Sequence, residues 1–583
     1  MSGLFHELKR RNVIKIAIVY AVVAWLIAQV ISVVHEPLHL PNWFPTAVIV
    51  LLIAGFPIAL IIAWAFERGV DGVHRTPPTK SPAASTDTDA SEVAPMPEDA
   101  AVDEDSVAVL PFVNMSSDPE QEYFSDGISE ELLNQLAKVR DLHVAGRTSS
   151  FQFKGHVGDF ADIAKRLKVA HILEGSVRKA GNRVRVTAQL IKADNGYHLW
   201  SETYDREMDD IFAIQDEIAH AVTSALSVTL GVGDTGVSTH DVAAYDQYLV
   251  ARGHMAEGGR DSFLKAADAL EKATQLDPAF IEAWVSMASN ALYLASAWAA
   301  ERDAEFWEQF ERAVRQARAI DPDNPGAVHA AALLALNQRR WIEAGERFEA
   351  VVSAAPSTHS LLSNYQSFLM SVGRFRDATE VVRQWVRVDP LFTQPMSILG
   401  VCLEHAGELD QAREAFRQAA ELAGNVQAYA GPRLVVSLTM GDAAAIRADL
   451  DMLIANGLPV PGHQEITVAM GDCLGDPVRA RQVLREFLGD TRYRNALMLS
   501  VMATWASYFR DPELALQMLK KLERLTTNVM VFTMWRPLHR EMRRLPGFKD
   551  LVRDAGLVDY WRTTGHWGDY VRPVGDDDFE VIG

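Results

Sequence analysis

A group of carboxylates is the first feature of this 583-residue chain that could do chemistry. Asp118, Glu120, Glu122 and Asp126 follow a short apolar stretch, "VAVLPF", at the point where a buried strand is expected to turn into a helix. Carboxylate oxygens bind divalent cations, but this spacing fixes no ligand geometry. Acidic residues also stabilise the first turn of a helix. We therefore expect a capped helix start and predict no metal site.

The same turn lacks the motifs of a nucleotide site. Neither GxxxxGK[ST] nor a glycine-rich loop follows the strand. Four negative charges would also oppose a phosphate at the start of the helix. We predict no catalytic residues and no cofactor, and we keep an unrecognised active site in this region as an alternative.

Redox and nucleic-acid chemistry are also disfavoured. Cys402 and Cys473 lie far apart and form no CxxC pair, so we expect two small buried helix residues. The net charge of −21 argues against a nucleic-acid partner, because phosphates need a basic face. Arginines do gather in the tail, residues 531–583, which we interpret as a helical cap.

Two apolar runs near the start of the chain predict a membrane hairpin over residues 1–75. Ile16–Val34 and Phe44–Phe66 contain no charged residue and are long enough to cross a bilayer, so we place spans at about 14–34 and 44–66. Lysine and arginine flank the outer ends of both runs and are absent between them. The positive-inside rule then predicts a multi-pass protein of the bacterial inner membrane, with both termini and the soluble domains in the cytoplasm.

Residues 76–105 have the composition of a disordered acidic linker, with eight acids and no lysine or arginine between 81 and 105. Residues 106–232 then read as an α/β domain. A strand and a helix are followed by a second strand and helix, by three strands joined at "AGNR" and "ADNG", and by a closing amphipathic helix.

A repeat of 34 residues begins near residue 241. Pro322, Pro356, Pro390 and Gly424 fall at that step, which is the tetratricopeptide period. Small residues recur at one position of each unit (Ala344, Ala378, Ala412) and large ones four residues later (Phe348, Val382, Phe416). We predict an all-α solenoid over residues 241–530.

Such arrays present a concave groove lined by the first helix of each repeat. Positions 2, 5, 9, 12 and 13 of that helix should face a protein partner. The candidates at these positions are His329, Asn337, Ser363, Ser367, Met370, Gln394, Ser397, Glu404 and His405. None is a lysine or arginine, which disfavours a partner held by its terminal carboxylate.

Several stretches together resemble the TolB-like N-terminal domain of bacterial proteins. The stretches are "VAVLPFVNMSSDPEQEYFSDGISEELLNQL", "GRTSSFQFKG", "HILEGSVRKAGNRVRVTAQLI", "HLWSETYDR" and "DIFAIQDEIA". In that family a membrane hairpin, a nucleotide cyclase domain or a DNA-binding domain precedes the module, and tetratricopeptide repeats commonly follow. The segments "LFHELKRRNVIKIAIVYAVVAWLIAQV" and "WAFERGVDGVHRT" resemble the hairpin version. The resemblance implies no established catalytic residues.

The sequence thus predicts a multidomain chain made of a two-helix membrane hairpin, an α/β TolB-like domain and a tetratricopeptide-repeat solenoid. We expect a membrane-tethered scaffold or sensor whose repeats bind a protein partner and whose hairpin contacts the lipid bilayer. The alternatives are an enzyme or signalling component, and a periplasmic envelope factor.

Overall fold

The computed structural model describes residues 66–69, 72–75 and 103–582. The last range has gaps at 117, 119–120, 140–141, 156–158, 227–237, 240, 297–303, 355–358, 426, 457–461 and 526–530. The chain divides into two compact units, Met1–Glu98 and Asp99–Gly583. In the first unit, strand β1 (Phe66–Gly69) pairs antiparallel with strand β2 (Gly72–Arg75).

The predicted localisation needs correction. No helix within the described ranges has the length and apolar character needed to cross a bilayer. On that finding the multi-pass inner-membrane localisation is wrong, and the predicted lipid contact is not supported. Helix Phe375–Val388, for example, is amphipathic: it buries Ala378, Val382 and Trp385 and leaves charged residues on its other face. The apolar runs at 14–34 and 44–66 and most of the linker at 76–105 lie outside the described residues.

A mixed sheet forms the centre of the α/β domain. Its strands are β3 (Ser106–Val109), β4 (Val113–Asn114), β5 (His143–Val144), β6 (His171–Ala180), β7 (Arg183–Lys192) and β8 (Tyr197–Glu207). The order is β5-β3-β6-β7-β8, with β4 also paired to β6. β3 is parallel to both of its neighbours, whereas β6, β7 and β8 form an antiparallel meander.

Helices cover the sheet on both faces. They are α1 (Glu122–Ala137), α2 (Arg147–Ser150), α3 (Phe160–Leu167) and α4 (Ile211–Ala225). α1 and α4 share one apolar core with the sheet, to which Ile128, Leu132 and Ile218 contribute fully buried side chains. α3 packs on the opposite face, where Ile163 and Leu167 meet Ile172. α1 lies against the repeats on its other side.

The repeat region consists of helix pairs. In the described ranges the pairs are α5 (Val242–Glu257) with α6 (Arg260–Leu276), α7 (Ile281–Ser296) with α8 (Ala304–Ile320), α9 (Pro325–Asn337) with α10 (Trp341–Ala354), α11 (His359–Ser371) with α12 (Phe375–Val388), α13 (Thr393–Ala406) with α14 (Leu409–Leu422), α15 (Ala430–Met440) with α16 (Ala443–Asn456), α17 (His463–Asp472) with α18 (Pro477–Gly489), and α19 (Ala496–Tyr508) with α20 (Pro512–Leu525). α9, α11 and α13 begin 34 residues apart, so the predicted tetratricopeptide-type period is confirmed in the fold.

Small and large residues alternate inside each pair as the period predicted. Ala344, Ala378 and Ala412 are fully buried. Gly400 lies so close to the second helix of its pair that a Cβ atom there would stand 2.7 Å from Cε1 of Phe416. The small residues therefore let the helices approach, and the aromatic rings fill the remaining space.

A C-terminal segment, residues 531–582, follows the last pair. Two short 3₁₀ turns lead into α21 (Arg540–Arg543), α22 (Pro546–Asp554), α23 (Leu557–Thr564) and a hairpin of β9 (Val571–Val574) and β10 (Asp578–Val581). Trp535 and Trp561 are almost completely buried in it. This segment packs back on the earlier repeats.

Candidate functional site

The first helix of each pair is expected to line the groove as one row, and the α/β domain packs on the first of these rows, α5. Helix α1 packs on α5, where Gly127 lies against Leu249: a Cβ atom on the glycine would be 2.5 Å from Cδ2 of the leucine. The Asp246 carboxylate accepts hydrogen bonds from the Tyr123 hydroxyl and the Lys179 ammonium, each at 3.0 Å. We call this contact between α1 and α5 the junction.

Charged groups are buried in the junction. The Glu130 carboxylate pairs with Arg147 at 3.0 Å and with Arg252 of the first repeat. Its neighbour Glu131 is 8% exposed and accepts a 3.3 Å hydrogen bond from the Tyr248 hydroxyl. Burial raises the pKa of the Glu131 carboxyl to about 7. The junction therefore combines an apolar core, which includes Tyr245, Tyr248 and Leu249, with two buried acids.

A second contact joins the α/β domain to the repeats 240 residues further along the chain. The Asp389 carboxylate, which closes helix α12, accepts hydrogen bonds from the backbone N–H of Ser149 at 2.8 Å and from the Ser149 hydroxyl. The Gly146 N–H donates to the Val388 carbonyl at 2.7 Å, and the Leu391 N–H donates to Ser149 Oγ at 2.9 Å. We call this contact the catch.

Gly146 and Asp389 fit the catch closely. A Cβ atom at Gly146 would lie 2.7 Å from Cγ of Asp389. The aspartate is 1% exposed, and its carboxylate sits at the first turn of α2, where the free N–H groups favour a negative charge. A repeat residue thus caps a helix of the α/β domain.

The C-terminal segment packs against the C-terminal ends of α11 and α13. The Tyr570 hydroxyl donates to the His405 carbonyl, and the Trp561 indole donates to the Val372 carbonyl at 2.8 Å. The ring of Phe532 lies 5.2 Å from that of His405. This part of the groove is filled by the chain itself.

Three of the predicted partner-binding residues are consequently buried. Met370 lies 3.6 Å from the sulfur of Cys402, and Glu404 and His405 lie beneath the C-terminal segment. Burial acts to raise the pKa of the Glu404 carboxyl, but His405 and two arginines of that segment outweigh it and hold the pKa below its usual value. These three side chains are out of reach of a partner, and we drop them from the candidate surface.

The other six candidates lie on three neighbouring rows, α9, α11 and α13. Ser367 and Gln394 are exposed, while His329, Asn337, Ser363 and Ser397 are partly buried. The Asn364 amide lies 3.2 Å from His329 Nε2 and links two of the rows. Burial lowers the pKa of His329 to about 4, so its ring is neutral at pH 7. The structure thus brings together a short stretch of uncharged polar side chains, which we call the open rows.

The residues of the junction and the catch could not be identified as contact residues from the sequence. Gly127, Glu130, Gly146 and Ser149 all fall within "SDGISEE" and "GRTSS", two of the stretches on which the family resemblance was based. A glycine inside a helix and a glycine before a serine pair were the available signals, since each marks a close approach. The sequence did not show that the approaching group would be a repeat.

The result for a metal site is negative within the described residues. In the part of the chain that the structure describes, no three His, Cys, Asp or Glu side chains are placed to hold a metal ion. Two segments match short consensus motifs: "HEPLH" at 35–39 matches HExxH, and "GVGDTG" at 231–236 matches GxGxxG. Both lie outside the described residues. The second follows a helix, whereas the dinucleotide motif follows a strand.

Comparison with known proteins gives two sequence matches. Residues 103–221 match the family model "HilA/YgeH-like transcriptional regulator, second domain". A relative named "Putative adenylate cyclase 3", from Rhizobium meliloti (strain 1021), is 42% identical over 191 residues, which cover 32% of each protein. The chain therefore spans about a third of the length of that relative. The predicted TolB-like identity of residues 106–232 stays a prediction.

Several solved structures have similar helical regions. The type IV pilus biogenesis factor PilW is 19% identical, covers 39% of this chain and 98% of its own, and gives a TM-score of 0.32. YrrB, described as a TPR protein with an unusual peptide-binding site, covers 34% of this chain and 95% of its own at 19% identity and a TM-score of 0.26. The human IFIT1 dimer covers 60% of this chain and 80% of its own, at 13% identity and a TM-score of 0.36. These TM-scores are low, so the repeat fold rests on the helix pairs themselves.

Proposed function

We propose that this chain is a protein–protein interaction scaffold or sensor, and that its repeats bind a protein partner across the open rows. The observation that carries the proposal is the set of uncharged polar side chains on α9, α11 and α13, which stay exposed or partly exposed although the C-terminal segment covers the ends of α11 and α13. Hydroxyl and amide groups at such positions can hydrogen-bond the backbone of a partner segment.

The composition of the open rows limits the partner. Ser363, Ser367, Gln394 and Ser397 carry no charge, and His329 is neutral at pH 7. A partner bound mainly by its own charges would find no opposite charge among these residues. We propose an uncharged or weakly charged protein segment, and we propose no nucleic-acid ligand and no catalytic activity. The activity in the name of the cyclase relative belongs to that protein.

The α/β domain supplies the sensor part of the proposal. The region matching residues 103–221 is the second domain of a transcriptional regulator, which supports a role in signalling. We also propose that this domain is TolB-like, on the stretches quoted above, and that residues 106–232 and 241–530 are its bounds and those of the solenoid.

The test compares partner capture by the wild-type chain and by two charged variants. Ser367→Arg and Gln394→Arg place a bulky cation at exposed positions of the open rows, so both variants should fold. Ser353→Arg is the matched control, since Ser353 is exposed on α10, the second helix of its pair. We expect crosslinked partners to be lost with the first two variants and kept with the control. Equal capture by all four proteins would refute the proposal.

A further inference from the structure

The groove already holds one segment of this chain. The 3₁₀ turn Val531–Trp535 contacts α11, and the following turn, Pro537–His539, contacts α13, α15 and α19. All four of these helices are the first helix of their pair. Residues 531–539 therefore cross the rows in an irregular conformation, and they show how the groove holds a segment of chain.

Hydroxyl groups and an aromatic ring make this contact. On α19, the Ser507 hydroxyl lies 2.7 Å from Nδ1 of His539, and the Thr504 hydroxyl accepts a 3.3 Å hydrogen bond from Arg536. The ring of Phe532 packs against an imidazole of α13. The first helices thus bind polar side chains of the segment through serine and threonine and cover an apolar side chain beside them.

The open rows offer the same hydroxyl chemistry next to this contact. Ser363 and Ser367 lie on α11, the helix that the turn at 531–535 contacts, and Ser397 lies on α13. The Ser367 hydroxyl donates to the Ser363 carbonyl at 3.0 Å, and its oxygen remains able to accept a hydrogen bond from a partner. Continuity with a contact that the chain already makes indicates that the open rows hold a segment in the same manner.

An apolar row on α7 adjoins the open rows. Tyr293 is 41% exposed there, and Val285 and Leu292 are partly exposed. The Tyr293 ring stacks on that of Phe263, with 4.1 Å between the ring centroids. A Cβ atom on Gly326 of α9 would lie 3.2 Å from Cγ1 of Val285, so the two rows touch. A segment that runs on from α9 to α7 therefore meets apolar surface that it can cover.

The spacing of the rows sets the length of such a segment. Neighbouring packed helices lie about 8–10 Å apart, so the three steps from α13 to α7 span about 25–30 Å. An extended chain covers that span with about eight or nine residues, at about 3.3 Å per residue. The chain's own segment agrees with this length, because residues 531–539 reach from α11 to α19.

We propose that the partner segment is an extended stretch of about eight or nine residues that crosses α13, α11, α9 and α7. Its side chains are polar and uncharged over the open rows, and one large apolar side chain packs against Leu292 and Tyr293. This inference rests on the proposed function, and it adds the length of the partner segment and its apolar anchor.

Site-specific photocrosslinking of the full chain tests this inference. p-Benzoylphenylalanine replaces Tyr293 on α7 or Gln394 on α13. The control position is Leu422 on α14, a second helix, because its side chain is 41% exposed, as is that of Tyr293. Cells that express the full chain are irradiated, and the crosslinked residues of the partner are identified by peptide mass spectrometry.

We expect positions 293 and 394 to crosslink to one partner, at sites within about ten residues of each other, with a large apolar residue at the site that position 293 reaches. Tyr293→Arg should lower the crosslink yield at position 394 by about tenfold or more, as the loss of a buried aromatic anchor implies, and Leu422→Arg should not.

Three results would overturn the inference and leave the proposed function standing. They are a crosslink at position 394 alone, two partner sites further apart than about ten residues, and an unchanged yield at position 394 in Tyr293→Arg. A yield at both positions no higher than at position 422 would overturn the inference and the proposed function together.

Discussion

Gly127 permits a close approach between α1 and α5, and replacing it tests that packing directly. A Cβ atom there would lie 2.5 Å from Cδ2 and 3.1 Å from Cγ of Leu249. The leucine is 1% exposed, so its side chain has little room to rotate away. Alanine gains about 1 kcal/mol of helix propensity but loses about 1–3 kcal/mol to overpacking. We expect Gly127→Ala to lower the free energy of unfolding by up to about 2 kcal/mol.

A double-mutant cycle turns this expectation into a measurement of the contact. Leu249→Ala alone should cost about 2–5 kcal/mol, because it leaves a cavity at the junction. In the double variant, the new methyl group of residue 127 occupies part of that space and meets no leucine. The double variant should therefore be more stable than the sum of the single effects predicts, by at least about 1 kcal/mol.

Chemical denaturation of the full chain, followed by circular dichroism, provides the four free energies. Gly253→Ala is the matched control from the same interface, because a Cβ atom there would meet only Cβ of Tyr123 at 3.4 Å, an ordinary contact. It should be neutral or stabilising. Additivity within about 0.5 kcal/mol, together with a harmless Gly127→Ala, would refute the packing described for the junction.

Three further predictions concern single residues. Burial raises the pKa of the Glu131 carboxyl to about 7 in the folded chain. The protonated carboxyl therefore stabilises the fold fully below its ordinary pKa, and this stabilisation is lost as the pH rises through about 7. Glu131→Gln should flatten this pH dependence of the free energy of unfolding, measured by denaturation from about pH 5 to 8. Phe348→Ala should cost about 3–5 kcal/mol and lower the Tm in calorimetry, because the ring is fully buried between helices. Trp561→Phe should cost about 1 kcal/mol in the same assay, since it removes the 2.8 Å hydrogen bond to the Val372 carbonyl.

The repeats could be predicted from sequence because their determinants are local and recur. The step from Pro322 to Pro356 to Pro390 marks the helix pairs, and the alanine and phenylalanine positions within each step identify the buried faces. The succession of strands and helices along the α/β domain was predicted for a similar reason, since each element carries its own apolar pattern and turn; the order of the strands in the sheet was not predicted. The short strand β4 and helix α2 were not predicted, because their stability depends on β6 and on Asp389 rather than on their own residues.

The candidate site was harder to predict because accessibility depends on contacts between distant parts of the chain. Glu404 and His405 occupy the positions that face a partner in a free array, and nothing near them in the sequence signals that residues 531–582 return to cover them. The local sequence does not signal the contact between Asp389 and Ser149 either. Asp389 ends its repeat as Asp321 does, but it is 1% exposed and contacts Ser149, whereas Asp321 is exposed.

The catch also has a consequence for how the chain is made. Most repeat arrays can fold as they emerge, because each unit needs only its neighbour. Here Ser149 must wait for Asp389, which is 240 residues away, and at typical synthesis rates that separation lasts roughly 10–50 s. During that interval helix α2 lacks the carboxylate that caps it, whereas Glu130 and Glu131 can already meet Arg252 and Tyr248 of the first repeat. A ribosome pausing within the first four repeats would therefore hold an incomplete domain, so the order of synthesis makes this long-range contact the late step of folding.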